Sequence, residues 1–395
     1  MSKIKIFNDP IYGLISYPYE IIYELIDHPY FQRLRRICQV GLSSYVYPGA
    51  THSRFHHAMG ATHLCDLLLN NLKLKGVAIS KEEHKSCLIA TLLHDIGHGP
   101  FSHALEYELL PIHHEEITLL IMQRLNVEFH GELDLAISIF SNQYSKKFFH
   151  QALSSQLDVD RMDYLNRDSY YTGVAEGIIG YERIIKMMSV VDDNLVVEEK
   201  GLHSVEKFII SRHLMYHQVY LHKASISAEQ MLKSFIKHFK IIGKSKTSGE
   251  PLRVLLSGAE LDSEVRLDHF LLLDDSDILY LIKICRNHED MALKYLSNGL
   301  INRHLLKTEV SDTPFSKDRI EKVLNQAFEN LPWPEEIIRK VVIFGEELNT
   351  LYNQSQEIYF LTKQNNTIVT FSELTRLKYR YDSQKHYHLS YPKWQ

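Results

Sequence analysis

Cysteine is scarce in this chain, and the little there is follows no pattern. The four thiols among 395 residues, Cys38, Cys65, Cys87 and Cys285, include no C-x-x-C pair. That spacing excludes a zinc-finger or disulfide framework. Long apolar runs are missing too: nothing approaches the ~20 residues needed to span a bilayer. The segment Met1-Ser-Lys-Ile-Lys-Ile-Phe-Asn-Asp9 has no signal-peptide core. The expectation is a cytoplasmic protein with no membrane partner. Basic charge is not in excess either. With 44 Lys and Arg against 49 Asp and Glu the net charge is −5, so nucleic acid is not an expected partner and an anionic ligand needs a local cationic pocket.

Histidine, by contrast, is abundant, with 23 residues, many of them between 52 and 130. The densest run is Thr91-Leu-Leu-His94-Asp95-Ile-Gly-His98-Gly-Pro-Phe-Ser-His103. An apolar helix runs straight into an adjacent His-Asp pair, and a second His follows one turn later. Imidazole and carboxylate together suit a divalent metal ion that activates water and grips phosphate oxygens. The glycines flanking His98 remove bulk where a ligand approaches the backbone.

The rest of the chain reads as mainly α. Residues 1–19 look extended, with turn chemistry at Asn8-Asp9-Pro10 and Tyr12-Gly13. Two short helices, broken near His28-Pro29, fill 20–40, and a helix covers 55–74. Ser80-Lys-Glu-Glu83 has the form of a capping box and starts the helix leading into the His-Asp run, which Gly99-Pro100 ends. Further helices are predicted over 114–125, 133–140 and 159–171. Residues 203–242 lack Gly and Pro, so one long helix or a kinked pair is expected, followed by a loop at 243–251 and helices over 275–297. Strands are expected at 302–310, 340–344 and 357–371, with a hairpin turn at Gln364-Asn-Asn366. The organisation predicted is a helical domain over 1–300, with its metal-site core at about 50–170, and a small α/β region over 301–395 containing a β-hairpin.

Two protein ligands are too few for a tight mixed His/carboxylate site, so His94 and Asp95 need partners. Upstream, His52-Ser-Arg54-Phe-His56-His57 opens a helix. Downstream, Asp158-Val-Asp160-Arg161-Met-Asp163-Tyr164-Leu-Asn-Arg167-Asp168 puts acids into an otherwise apolar one. Asp160, Tyr164 and Asp168 are spaced by fours and share a stripe. Asp163 and Arg167, also four apart, read as a surface ion pair. By spacing alone, His94 and His98 project from one helical face and are a first pair for the ion.

The ordered set His57, His94-Asp95 and Asp160 resembles the H…HD…D signature of the HD-domain metal-dependent phosphohydrolases. The likeness is nearest to the deoxynucleoside triphosphate triphosphohydrolases. It rests on Asn8-Asp-Pro-Ile-Tyr-Gly13, Phe31-Gln-Arg-Leu-Arg35, Tyr47-Pro-Gly-Ala-Thr-His-Ser-Arg-Phe55, His94 to His103 and Asp158-Val-Asp-Arg-Met-Asp-Tyr164. These five co-linear motifs span roughly residues 3–240. The resemblance implies an HD-domain helical core. His57, His94, Asp95 and Asp160 then correspond to the ligands of a divalent metal ion, with Mn, Fe, Mg, Ni and Zn not distinguished. His114 falls at the family's catalytic His near the scissile α-phosphate, supported by His98, and Asp95 belongs with them. This moves His98 off the ligand list.

The same resemblance assigns Gln39, Val40, Arg54, His103, Arg161, Tyr164, Asp168, Arg212, Tyr216, Tyr220 and Lys223 to the triphosphate, sugar or base. It also implies an allosteric nucleotide site at Lys5, Asn8, Asp27, Gln32 and Arg35, with GTP or dGTP as activator and a homotetramer or dimer as the assembly. The implied reaction gives deoxynucleoside plus inorganic triphosphate. Three positions depart from the family pattern: Val40 stands for a bulkier apolar residue beside Gln39, Tyr216 for a His and Arg161 for a Lys. Sugar discrimination and base preference therefore stay open. The alternatives are an HD phosphohydrolase for a nucleotide monophosphate, a cyclic nucleotide or a guanosine alarmone, and a noncatalytic nucleotide- or nucleic-acid-binding HD protein.

Overall fold

The computed structural model describes residues 5–242, 250–257, 263–349, 357–364, 367–376 and 384–394. A two-stranded hairpin, β1 (Phe7–Asp9) and β2 (Gly13–Ile15), leads into α1 (Glu20–Asp27) and α2 (Pro29–Gln32). The helical body follows: α3 (Arg54–Leu74), α4 (Lys81–Leu93), α5 (His114–Glu128), α6 (Asp134–Phe140), α7 (Lys147–Leu153), α8 (Val159–Thr172) and α9 (Tyr181–Met187). After β3 (Met188–Val191) and β4 (Asn194–Glu198) come α10 (Leu202–Met215), α11 (Lys223–Ile242), α12 (Glu250–Leu256), α13 (Ser263–Leu271), α14 (Asp275–Ile284) and α15 (Met291–Ile301). The last part holds β5 (Lys307–Ser311), α16 (Lys317–Asn330), α17 (Glu335–Val341), β6 (Ile343–Asn349), β7 (Tyr359–Leu361), β8 (Ile368–Thr370) and β9 (Gln384–Tyr391).

The fold is mainly α, as the periodicity predicts. At the centre, α3 lies between α4 and α8. Residues 86–93 of α4 are all buried, which is what a helix apolar on every side requires. Ser80 and Glu83 close the expected capping box: the Glu83 N–H donates to Ser80 Oγ at 3.1 Å and the Ser80 N–H to Glu83 Oε2 at 2.7 Å.

The helix stops at Leu93, with His94 as its C-cap. His94 and His98 therefore do not share a helical face; the chain turns between them, earlier than Gly99-Pro100 suggests. Gly97 supplies the reason. A Cβ there would lie 2.2 Å from the His114 carbonyl oxygen and 2.4 Å from the Thr118 nitrogen, so α5 docks on the bare backbone. A Cβ on Gly99 would meet the Phe270 ring at 2.8 Å. Both glycines admit neighbouring protein groups, which corrects the expectation of a ligand there.

Residues 203–242 form the kinked pair. The break is a π-helical turn, Tyr216–Tyr220, in which the Leu221 N–H reaches back to the Tyr216 carbonyl at 2.8 Å. The Tyr47 hydroxyl donates to the Gln218 carbonyl inside that turn. Such turns recur at functional sites.

β7 and β8 form the expected hairpin, although residues 365–366 of its predicted turn lie outside the described residues. Two features were not anticipated. β3, β4, β7 and β8 form one sheet, with β4 and β7 parallel through Val197 opposite Phe360, so strands on either side of residue 300 share it. β9 is the middle strand of a second sheet, β5-β9-β6. Its pattern hid it, because both faces are buried and one of them carries His386, His388 and Ser390 rather than aliphatic residues. Among the described residues no helix is long and apolar enough to cross a membrane.

Candidate active site

Three ligand-type side chains, His57 from α3, His94 from the end of α4 and Asp160 from the first turn of α8, offer atoms within 4.8 Å of one another. His57 Nε2 lies 3.3 Å from His94 Nε2 and 3.0 Å from Asp160 Oδ1. His94 Nε2 is 3.7 Å from the same oxygen. The other ring nitrogens fix the tautomers. His94 Nδ1 donates to the Thr91 carbonyl at 2.7 Å, and His57 Nδ1 donates to Asp163 Oδ2 at 2.8 Å. In the neutral rings both Nε2 atoms would present lone pairs to each other, so the contact needs a cation between them, either a proton or a metal ion. Burial works against a charged His57, yet hydrogen bonds and charge from Asp160 and Asp163 hold its imidazole pKa up at about 10. Two imidazoles and a carboxylate facing inward fit a divalent cation. Asp95 sits beside them, 3.5 Å from His94 Nε2 and 3.8 Å from His57 Nε2 through its two oxygens.

Behind His57 lies a group that the sequence reading missed. Asp163 and Arg167 are not a surface pair: both side chains are fully buried, joined at 2.9 Å through Nε and Nη2. Arg167 Nη1 continues to Asp9 Oδ2 at 2.8 Å, which gives the Asn8-Asp-Pro turn a role in holding the site. Gly60 on α3 makes the room, since its Cβ would fall 2.1 Å from Asp163 Oδ1 and 2.2 Å from Arg167 Nη2. The signal was present as an ion pair inside an apolar helix.

On the other side of the motif, the His98 and His114 rings lie 3.9 Å apart between centroids. Burial and the Arg54 charge push the His98 imidazole well below its usual pKa. His98 Nδ1 is 3.3 Å from Asp95 Oδ1. His114 opens α5, and its Nδ1 is held by Glu106 Oε1 at 2.6 Å, a partner not foreseen. His113 also points at Glu106, 3.4 Å away through Nε2, making a second His/carboxylate group. That group suits a metal poorly. The His113 Nδ1 accepts from the Glu115 N–H, so the proton of the neutral ring sits on Nε2 and donates to Glu106.

Arg33, inside the Phe31–Arg35 motif, anchors the turn itself. Its buried guanidinium donates to the carbonyls of Leu273 at 3.1 Å, Ile96 at 2.9 Å and His98 at 2.8 Å. Burial pulls its pKa down to about 10. Nearby, Phe101 and Ser102 adopt left-handed backbone, with φ of 54° and 51°, a strained state for residues other than glycine. Asp275 holds it through the Phe101 N–H at 2.7 Å.

A cleft of ≈ 1250 Å³, open solvent included, runs from these groups. It is lined by Asp95, His98, His114 and Asp160, and by Gln39, Val40, Arg54, Arg161, Tyr164, Asp168, Arg212, Tyr216 and Tyr220. Arg54 Nε donates to Ser102 Oγ at 2.7 Å and its Nη1 to Asp95. Arg161 caps back onto Asp158 at 2.6 Å, and Arg212 Nη1 donates to Gln156 Oε1 at 3.0 Å. Asp168 accepts from His52 Nε2 at 2.6 Å and from the Tyr220 hydroxyl. Lys223 is exposed and does not line the cleft, and the His103 side chain lies outside the described residues. The residues of the implied allosteric site pair off near the N-terminus: Lys5 with Asp27, and Arg35 Nε with Gln32 Oε1 at 2.8 Å. The Arg35 guanidinium also sits over the Phe55 ring, 3.6 Å from its centroid.

Comparison with known proteins places this geometry. The HD domain family matches residues 54–168, and the HD associated region matches 179–331. The uncharacterized protein YwfO of Bacillus subtilis is 35% identical over 319 residues, covering 78% of this chain and 72% of that protein. The deoxynucleoside triphosphate triphosphohydrolase SAMHD1 of Homo sapiens is 27% identical over 326 residues, or 71% of this chain and 51% of that protein. A crystal structure of a phosphohydrolase from Bacteroides thetaiotaomicron superposes with a TM-score of 0.93 at 42% identity, covering 99% of this chain and 100% of that one. The chain belongs to the HD-domain phosphohydrolases, in the branch that contains the deoxynucleoside triphosphate triphosphohydrolases.

Proposed function

We propose that this cleft hydrolyses deoxynucleoside triphosphates to deoxynucleoside and inorganic triphosphate. The observation that carries this reading is a single cleft lined by Asp95 and Asp160, the His98–His114 pair and three arginines, with His57 and His94 beside Asp160. A divalent cation held by His57, His94 and Asp160, with Asp95 beside it, would supply Lewis acidity and a more acidic bound water. The remaining work falls to the chain's own groups. Arg54, Arg161 and Arg212 offset polyphosphate charge that a protein of net charge −5 otherwise repels. Glu106 orients His114 through its Nδ1, and in its imidazolium form the ring can donate to the 5′ oxygen as its bond to α-phosphorus breaks. His98, kept neutral by burial and Arg54, packs against His114 without charge repulsion and can donate to phosphate. Asp168 fixes the Tyr220 hydroxyl, and Tyr220, Tyr216, Tyr164, Gln39 and Val40 form the sugar and base end.

In the same reading a guanine nucleotide, GTP or dGTP, binds at Lys5, Asn8, Asp27, Gln32 and Arg35 and promotes a homotetramer. The test is incubation of the protein with each dNTP and NTP, with Mn or Mg and with or without dGTP, followed by chromatography of the products. Triphosphate released intact supports the reading. Monophosphate or pyrophosphate products point instead to another HD phosphohydrolase. Unchanged oligomeric mass and turnover on adding dGTP would remove the activator.

A further inference from the structure

The sheet β5-β9-β6 packs one face of its middle strand, Leu389 and Tyr391, into a small apolar core with Val323, Ala327 and Ile338. Alternation puts His386, His388 and Ser390 on the other face, and all three are buried. There β9 meets the π-helical turn. The His386 ring contacts His217 at 5.9 Å between centroids, with the planes at 89°. His217 in turn lies 4.5 Å from His213, one helical turn back along the chain. His213 and His217 are exposed.

His386 is the informative member. Only 3% exposed, it has Nδ1 at 2.9 Å from Asp312 Oδ1, so the proton of the neutral ring sits on Nδ1. Nε2 is left as a lone pair, buried and without a hydrogen-bond partner. A carboxylate behind one ring nitrogen and an unsatisfied lone pair on the other is the arrangement of a metal-ligating histidine. Buried acceptors are normally satisfied, so this one calls for a ligand.

We propose that His213, His217 and His386 bind a borderline transition ion such as Zn²⁺, at a site separate from His57, His94 and Asp160. Imidazole suits such ions, and three protein ligands leave a fourth position for water. The rings are less gathered than the His57 group. The two exposed histidines close on the ion by changing rotamer, while His386 is the fixed arm. The consequence is a clamp between β9 and the turn whose residues Tyr216 and Tyr220 line the cleft.

The experiment counts zinc on the full-length protein, stripped with chelator and reloaded with Zn²⁺, by native mass spectrometry. Wild type is expected to hold two ions and His217→Ala one, with the second ion weakened tenfold or more. His94→Ala is also expected to hold one, and its remaining ion to be lost in His94→Ala/His217→Ala. Zn²⁺ is further expected to protect β9 from proteolysis in wild type but not in His217→Ala. His217 is exposed, so its loss leaves the fold intact. A zinc count unchanged between wild type and His217→Ala, or an ion in His94→Ala that His94→Ala/His217→Ala retains, overturns the site. Turnover is not read, so failure of the hydrolase reading leaves this result intact.

Discussion

At the scale of single residues, the metal group depends on what stands behind its ligands. His57 offers Nε2 because Asp163 takes its Nδ1 proton, and Asp163 is in turn held by Arg167 and Asp9. Replacing Asp163 by Asn weakens that hold, and losses of 10–100-fold in metal affinity are typical for such partners. Mn²⁺ titration calorimetry on Asp163→Asn is expected to show a loss in that range; unchanged affinity would mean that the tautomer is set elsewhere. Gly60→Ala inserts a methyl 2.1 Å from Asp163 Oδ1. Overpacking of this kind costs about 1–3 kcal/mol, read as a lowered Tm. His57, His94 and Asp160 lie in runs that were legible in the sequence because ligand types stand at unusual places in apolar helices, and the family resemblance chose them among neighbours such as His52, His56 and Asp158. Arg33 and Gly60 were not legible, because their partners lie tens of residues away; Glu106 was not, because the irregular turn that brings it onto His114, eight residues on, has no periodic pattern.

At the scale of elements, the site is an arrangement of helix ends: His94 at the close of α4, His114 at the opening of α5 and Asp160 at the opening of α8. α5 is placed by contact with the Gly97 backbone and by Thr118, whose hydroxyl accepts from the Gly97 N–H at 3.0 Å and donates to the His94 carbonyl at 3.1 Å. Gly97→Ala is expected to lift α5 and separate His114 from His98. Turnover should then fall at least tenfold while helical circular dichroism stays. The start of α4 carries its own pH signature. Burial raises the Glu83 pKa, but Lys146, Tyr144 and the Ser80 N–H outweigh it and hold the carboxyl at about 2. A depressed carboxylate stabilises the fold above its unfolded pKa, and that stabilisation is lost as pH falls. Acid titration should therefore show stability declining from about pH 4.5 towards 2, with that part of the slope absent in Glu83→Gln. The capping box was readable from four residues. The π-helical turn was not, since Tyr216 to Tyr220 keep a spacing that suits an ordinary helix and the Tyr47 contact comes from far away.

At the scale of the molecule, residues beyond 300 complete the body. Ile358, Phe360 and Phe371 join the main hydrophobic core, and β7 extends the sheet begun by β3 and β4. A chain ending at residue 300 is expected to unfold at a lower temperature than the full protein, with faster amide exchange in β4; an unchanged Tm would mean that the two parts fold independently. The mainly α class was legible from periodicity over long segments. β9 escaped because its second buried face, His, His and Ser, reads as solvent-facing and leaves Leu389 and Tyr391 as only a short apolar alternation.

The most direct measurement of the central claim is product identification from a single dNTP incubated with Mn²⁺ and the full-length protein. The predicted products are deoxynucleoside and intact inorganic triphosphate in equal amounts, with turnover abolished in His94→Ala. Pyrophosphate with a nucleoside monophosphate, or turnover that survives His94→Ala, would contradict it.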